Sequence, residues 1–478
     1  MVVGHSRWIT FFGVFFVLTC YLASVNAEET SIHVGMVSIG MYGHIRPLIL
    51  LAHELLSRDH SVTFYLPDSS LNWIEEAQLQ GNIQIVGLGN LTHLASGPPT
   101  FSWKQSRSLV EISENLYDPL YSKLISSESL PDLLIVDFLT YSGIDVADKL
   151  NITAIISHPN AEPFQESGFR IPTSHTGHSI NMTWFERMIN DLVFRIKPIF
   201  MFPGARYASQ LRNERGLPSL ERGLEEYFDR ILLCYNSFAF DYPQLINPLI
   251  HYVGPLQSRF SKPLPEIQLE QSLQSWFDEM ENRHKQILYV STGTTDLMTY
   301  EVVKLFYSSF ETVLQKHPNL YILWQLSSTV SSSLPYIIHE RVKIVEFVPQ
   351  DVVLHHPSVV AFFSHCGINS VYESILAGKP IIGLPFRNDQ KDNAARVEDR
   401  KIGKRLDKYL PGLKEYHISN AISEILDNSM YKENILKLQK IINQEGGSVR
   451  AVDIIEQVYN AGYKHLIPTS LFQPWWYI

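Results

Sequence analysis

The stretch from Phe347 to Gln390, FVPQDVVLHHPSVVAFFSHCGINSVYESILAGKPIIGLPFRNDQ, constrains the fold more than any other part of the chain. Its apolar run Val359–Phe363 has no polar alternation, which suits a parallel strand covered on both faces. The loop Ser364-His365-Cys366-Gly367 follows, and the spacing predicts a helix over 368–377. A strand feeding a helix through such a loop leaves the first helical N–H groups unpaired and aimed at one spot. There the loose N–H groups and the helix dipole favour an anion. Asn369 and Glu373 are four apart and share a helix face, with Ser370 beside them in the first turn. A phosphate at the helix start would have Glu373 one turn further on, where a carboxylate suits the paired hydroxyls of a ribose. Taken alone, the fragment fits an ordinary strand–loop–helix with a polar first turn equally well.

The whole stretch is more specific than the fragment. Pro349-Gln350, His365-Cys366-Gly367, Asn369-Ser370, Glu373-Ser374 and the closing Asp389-Gln390 stand in a fixed order and spacing. In these residues the chain resembles the donor-binding signature of family 1 UDP-glycosyltransferases. The resemblance implies that Gln350 contacts the uridine, with Phe347 and Val348 beside the base. It implies that His365, Gly367, Asn369 and Ser370 hold the diphosphate, Glu373 the ribose, and Asp389 with Gln390 the sugar hydroxyls. Phe347 stands where the family usually has a Trp stacked on uracil, and Ile368 where plant members often have Trp. A Phe still stacks, with less area.

At 478 residues the chain is too long for one core and suits two domains. A net charge of −10 and the lack of a basic stripe give no reason to expect nucleic acid. Arg7, the apolar run 9–23 and Val25-Asn26-Ala27 read as a secretory signal peptide ending at Ala27. The rival reading, an uncleaved anchor, needs a longer run to span a bilayer. Sequons at Asn90, Asn151 and Asn181 fit a luminal route through the endoplasmic reticulum or secretion. Beyond the leader only Cys234 and Cys366 remain, too few for a disulfide framework. The segment 466–478 is too short for a membrane span and is interrupted by Pro468 and Pro474. Family members from animals usually carry a span beyond this point. Trp475, Trp476 and Tyr477 suit either a membrane surface or a packed tail.

Along the chain, apolar runs alternate with amphipathic segments. Strands are expected at 32–38, 61–66, 83–88, 133–136, 152–157, 231–235 and 252–254, and helices at 46–58, 103–126 and 141–150. Such alternation implies a doubly wound parallel sheet with right-handed crossovers. Residues 160–225 break the rhythm with Pro, Gly, aromatic and helical pieces such as 184–202. In the family this region forms much of the acceptor pocket and often touches membrane; a helical flap without substrate contact reads equally well. The pattern restarts at 287–290, with Ser291-Thr292-Gly293-Thr294 after the strand, and helices fill 417–463. This divides the chain into a leader (1–27), a first domain (28–254), a linker (255–280), a second domain (281–455) and a C-terminal helix and tail (456–478).

Ligands of open α/β sheets bind at the carboxyl ends of the strands. His44, Asp137, Ser291–Thr294, His365 and Asp389-Gln390 each follow a predicted strand end, which points to one cleft between two facing domains. A histidine can take a proton from an attacking alcohol, and a carboxylate on its far nitrogen fixes the tautomer. Gly43-His44-x-x-Pro47 and Leu134-Ile135-Val136-Asp137 resemble the family's segments for this pair. No Asp-x-Asp element, zinc spacing, dinucleotide fingerprint or P-loop is present, so no metal or other cofactor is expected.

The resemblance implies a GT-B fold, two facing Rossmann-like domains with mainly parallel sheets. The implied function is inverting transfer of a hexose from a UDP-sugar to a hydroxyl of a small lipophilic acceptor. Gln390 resembles members that use UDP-glucose, with glucuronic acid left open. An inactive UDP-sugar or glycolipid binding protein, and an epimerase or hydrolase on the same fold, remain as alternatives.

Overall fold

Short apolar runs that lack alternation need cover on both faces, and the chain supplies it by following most runs with a helix. The computed structural model describes residues 31–90, 103–159, 168–257, 269–293, 299–327, 334, 339–387 and 389–468. The leader, Thr294 and the aromatic C-terminal tail lie outside them.

In the first half, β1 (His33–Val37), β2 (Ser61–Leu66), β3 (Ile83–Gly87), β4 (Leu133–Asp137), β5 (Thr153–His158), β6 (Leu232–Cys234) and β7 (Ile250–Tyr252) form one parallel sheet. Its order is β3-β2-β1-β4-β5-β6-β7. The helices here are α1 (Tyr42–Ser57), α2 (Leu71–Glu76), α3 (Trp103–Glu114), α4 (Tyr117–Ile125), α5 (Tyr141–Leu150) and α6 (Trp184–Glu214). In the second half, β8 (Gln286–Ser291), β9 (Leu320–Gln325), β10 (Val342–Val345), β11 (Val359–Ser364), β12 (Ile381–Gly383) and β13 (Gly403–Arg405) follow the same plan, ordered β10-β9-β8-β11-β12-β13. Their helices are α7 (Gln271–Asn282), α8 (Tyr300–Lys316), α9 (Gln350–His355), α10 (Ile368–Leu376), α11 (Gln390–Asp399), α12 (Glu415–Asp427), α13 (Ser429–Ile442) and α14 (Gly447–Ala461). Each sheet reverses its winding once, between β1 and β4 and between β8 and β11. A crevice opens at such a switch point.

The expected strands are present, except that the last of the first sheet lies at Ile250–Tyr252 and not at 252–254; differences among the helices have physical causes. α1 begins four residues before the expected Arg46, because the Met41 carbonyl accepts from both His44 N and Ile45 N and starts the turn. α6 continues past Phe202 to Glu214, through Pro198 and Pro203. Its start is fixed by a capping box between Thr183 and Glu186. The single helix expected over 103–126 breaks into α3 and α4 at residues 115–116. α7 buries Leu273, Phe277 and Met280 against the second sheet. The last helix, α14, packs Ala451, Val452, Ile455 and Val458 into the same core as Ile45, Leu48 and Leu55 of α1. It therefore crosses back to the first domain.

Candidate active site

β1 and β4 are neighbours at the first switch point, so the residues following them meet. His44, in the first turn of α1, lies with Nδ1 2.7 Å from Asp137 Oδ1. A carboxylate only accepts, so Nδ1 carries the hydrogen and Nε2 keeps the lone pair. Asp137 is buried and held in turn: its Oδ2 accepts from Thr140 Oγ1 at 3.1 Å and from Leu139 N at 3.3 Å. The His44 ring stacks on Phe138, with 5.3 Å between centroids. Burial opposes a charge on His44, but Asp137 and, more weakly, Asp389 outweigh it, so its pKa is raised. The influence of Asp389 matters because it belongs to the second domain. The two sets of strand ends therefore face each other across one cleft.

On the second domain, Cys366 adopts a left-handed φ of 65° and turns the chain from β11 into α10, whose N-cap is Gly367. The His365 ring lies between two glycines. A Cβ on Gly367 would come within 2.5 Å of its Nε2, and one on Gly293 within 3.0 Å of its Cε1. Desolvation lowers the His365 pKa to about 4, so the ring is neutral at physiological pH. Among the described residues, its buried Nδ1 has no hydrogen-bond partner. Beside it, Ser291 and Thr292 are buried at the end of β8, and Gln325 Oε1 accepts from Tyr289 Oη at 2.8 Å.

The rest of the signature converges as follows. Gln350 Nε2 donates to Ser370 Oγ at 3.0 Å and also to Glu373. Glu373 is buried, and Arg46 Nη2 pairs with its Oε1 at 2.7 Å from the first domain. Asn369 Nδ2 donates to the Gly43 carbonyl at 3.2 Å. That carbonyl is open because its helical partner would be Pro47, which has no N–H. Gln390 Oε1 accepts from Phe386 N and Arg387 N, at 2.9 and 3.0 Å. Phe347 is 69% exposed, whereas the Val348 side chain is buried in the core beside Tyr289 and Phe362.

Two residues of this site were not anticipated. Arg46 stood only as the first residue of a helix, although it lies inside the Gly-His-x-x-Pro loop. Asn393 bridges the site, donating from Nδ2 to Asp389 Oδ2 at 2.8 Å and to the Cys366 carbonyl at 3.0 Å. Its spacing of four from Asp389 on α11 was the available signal. The three sequon asparagines, Asn90, Asn151 and Asn181, are all exposed.

The chain is also similar to known proteins. A family model described as UDP-glucoronosyl and UDP-glucosyl transferase matches residues 132–477. The chain is 26% identical over 466 residues to UDP-glucuronosyltransferase 2C1 of Oryctolagus cuniculus, covering 89% of this chain and 88% of the relative. Among solved structures it is similar to the glycotransferase of kitacinnamycin, with a TM-score of 0.67, 20% identity, and coverage of 92% of this chain and 100% of the other. It is also similar to UDP-glucose: anthocyanidin 3-O-glucosyltransferase in complex with UDP, with a TM-score of 0.64, 20% identity, and coverage of 91% and 100%. These structural neighbours share the fold of two facing parallel-sheet domains, the GT-B architecture. The family match spans most of the chain, and the chain accordingly belongs to the UDP-glucoronosyl and UDP-glucosyl transferase family.

Proposed function

We propose that the cleft binds a UDP-hexose and transfers the hexose, with inversion, to a hydroxyl of a small lipophilic acceptor. The observation that carries this reading is the His44–Asp137 pair standing within electrostatic reach of Asp389 across the cleft. His44 Nε2 takes the acceptor's proton as the acceptor oxygen bonds to the anomeric carbon. The bond from that carbon to the diphosphate breaks, and UDP leaves with the electron pair. Asp137 offsets the charge that develops on the imidazole. The departing diphosphate is met by the unpaired N–H groups at the start of α10 and by Asn369 and Ser370. His365, neutral, is a hydrogen-bond partner there and adds no charge. In this reading Thr292, Gly293 and Thr294 complete the phosphate end and no metal is required.

The hexose is glucose in this reading, with Asp389 and the amide nitrogen of Gln390 taking its hydroxyls. The names of the matched relatives favour glucuronic acid as the second reading. The leader and the exposed asparagines support a secretory route with glycans at Asn90, Asn151 and Asn181. The exposed Trp184, Phe185, Met188, Ile189, Leu192 and Ile199 on α6 support peripheral membrane contact. Among the described residues, no helix is long and apolar enough to cross a membrane.

Turnover with UDP-glucose or UDP-glucuronic acid and a panel of lipophilic alcohols, in EDTA, tests the whole reading. Acceptor-dependent UDP release and a β-linked product are expected. UDP release without acceptor, or turnover that returns only on adding manganese or magnesium, would overturn it.

A further inference from the structure

Glu373 is held at both carboxylate oxygens. Gln350 donates to Oε2 from α9, within the second domain. Oε1 is held by Arg46, which belongs to the first domain and sits two residues beyond His44 on α1. Arg46 is itself steadied by Tyr42, whose hydroxyl accepts from Nη1 at 3.3 Å. A ribose diol offers two hydrogens, and an ionised carboxylate accepts both, whereas a protonated one must also donate. The corner that would hold the ribose is thus built from both domains.

We propose that Arg46 is a positioning residue of the donor site, holding Glu373 from the first domain as an aligned carboxylate for the two ribose hydroxyls of a uridine nucleotide. This rests on the reading of Glu373 as the ribose acceptor. Electrostatics supports it. Burial lifts the Glu373 carboxyl above its ordinary value, Arg46 and then Gln350 pull it back, and Asp351 and His355 on α9 act in opposite directions. Among the described residues, Tyr289 on β8 also lies near the carboxyl, and Tyr42 on α1 lies beside Arg46. Without Arg46, the buried carboxyl keeps one neutral donor and faces Asp351, so it protonates at higher pH. Ribose recognition then fails progressively as pH falls. The arrangement also makes nucleotide affinity depend on the domain that carries the base.

Calorimetric titration of the full chain with UDP and with 2′,3′-dideoxy-UDP, at several values from about pH 5.5 to about pH 8, tests this. Arg46→Met is expected to weaken UDP about tenfold or more at the upper pH, as for loss of a hydrogen bond to a charged group. The deficit should widen as pH falls, and Arg46→Lys should recover most of the affinity. Dideoxy-UDP should bind the parent and both variants alike. If Arg46→Met binds UDP as tightly as the parent, or more tightly, Arg46 is at most a competitor for Glu373 and the proposal fails. An equal loss for both nucleotides, with a lowered melting temperature, would assign Arg46 a structural role and also overturn it. Should the parent itself fail to distinguish UDP from dideoxy-UDP, the ribose assignment of Glu373 fails first.

Discussion

His44 is polarised from both sides of the cleft, and this shapes its pH behaviour. Its pKa is raised above the ordinary 6.5, and only the neutral ring can accept a proton. The acid limb of kcat/KM should therefore lie above pH 6.5 and fall as pH drops. Asp137→Asn removes the largest raising influence, so the limb should move to lower pH while turnover also declines. His44→Ala should cost about 100- to 10,000-fold in turnover with one alcohol acceptor. A variant that keeps parental turnover would place the base elsewhere. Gly367→Ala probes the other lip. Its φ of −60° suits any residue, but the new Cβ would press on His365, which Gly293 confines from the far side. Overpacking of this kind costs about 1–3 kcal/mol. UDP titration should show weakened binding, and unchanged affinity would mean that the His365 position is unimportant to the donor. At this scale legibility followed locality. The places of His44, Asp137 and His365 were readable because each sits in a dense local motif: His44 lies in the first turn of α1, Asp137 ends β4 and His365 follows β11. The role of Arg46 was not, because it depends on Glu373, a residue more than three hundred positions away.

Among the elements, strands were read more faithfully than helices. An apolar run ends where its last buried residue ends, as at Val359–Ser364, so its limits are written locally. Helix limits depend on caps and tertiary cover. α1 starts early through the Met41 carbonyl, and α6 outlasts two prolines because it packs along α3. β13 was missed because Gly403-Lys404-Arg405 carries no apolar signal; it is a strand only because β12 is its neighbour. α6 presents an apolar surface that can be tested directly. Its first turns expose Trp184 and Phe185, at 69% and 64%. Replacing both with Ser should leave the melting temperature nearly unchanged, since exposed sites away from special features shift stability by about 0.5 kcal/mol or less. Sedimentation with phosphatidylcholine vesicles should decline for that double variant. Equal partitioning would remove α6 from the membrane reading.

For the whole molecule, two domains wound on one plan were visible in the alternation of runs, but their contacts were not. The inter-domain pairs, Arg46–Glu373 and Asn369–Gly43 among them, join residues that no local pattern relates. A ligand bound between the domains should stabilise both. UDP at about 100 times its dissociation constant should add about 2.7 kcal/mol. ADP should not, and equal thermal stabilisation by ADP would sink the uridine assignment. The return of α14 has a further consequence, for the chain as it is made. Domains generally fold as units, the N-terminal one first during synthesis. Here the first sheet's core includes Ala451, Val452 and Ile455, and Arg58 pairs with Asp453 and Glu456. A nascent chain halted before Gly447 would leave Ile45, Leu48 and Leu55 without that cover. The first domain to leave the ribosome is thus sealed only after the second has been made, and its apolar face stays open to chaperones until α14 has emerged.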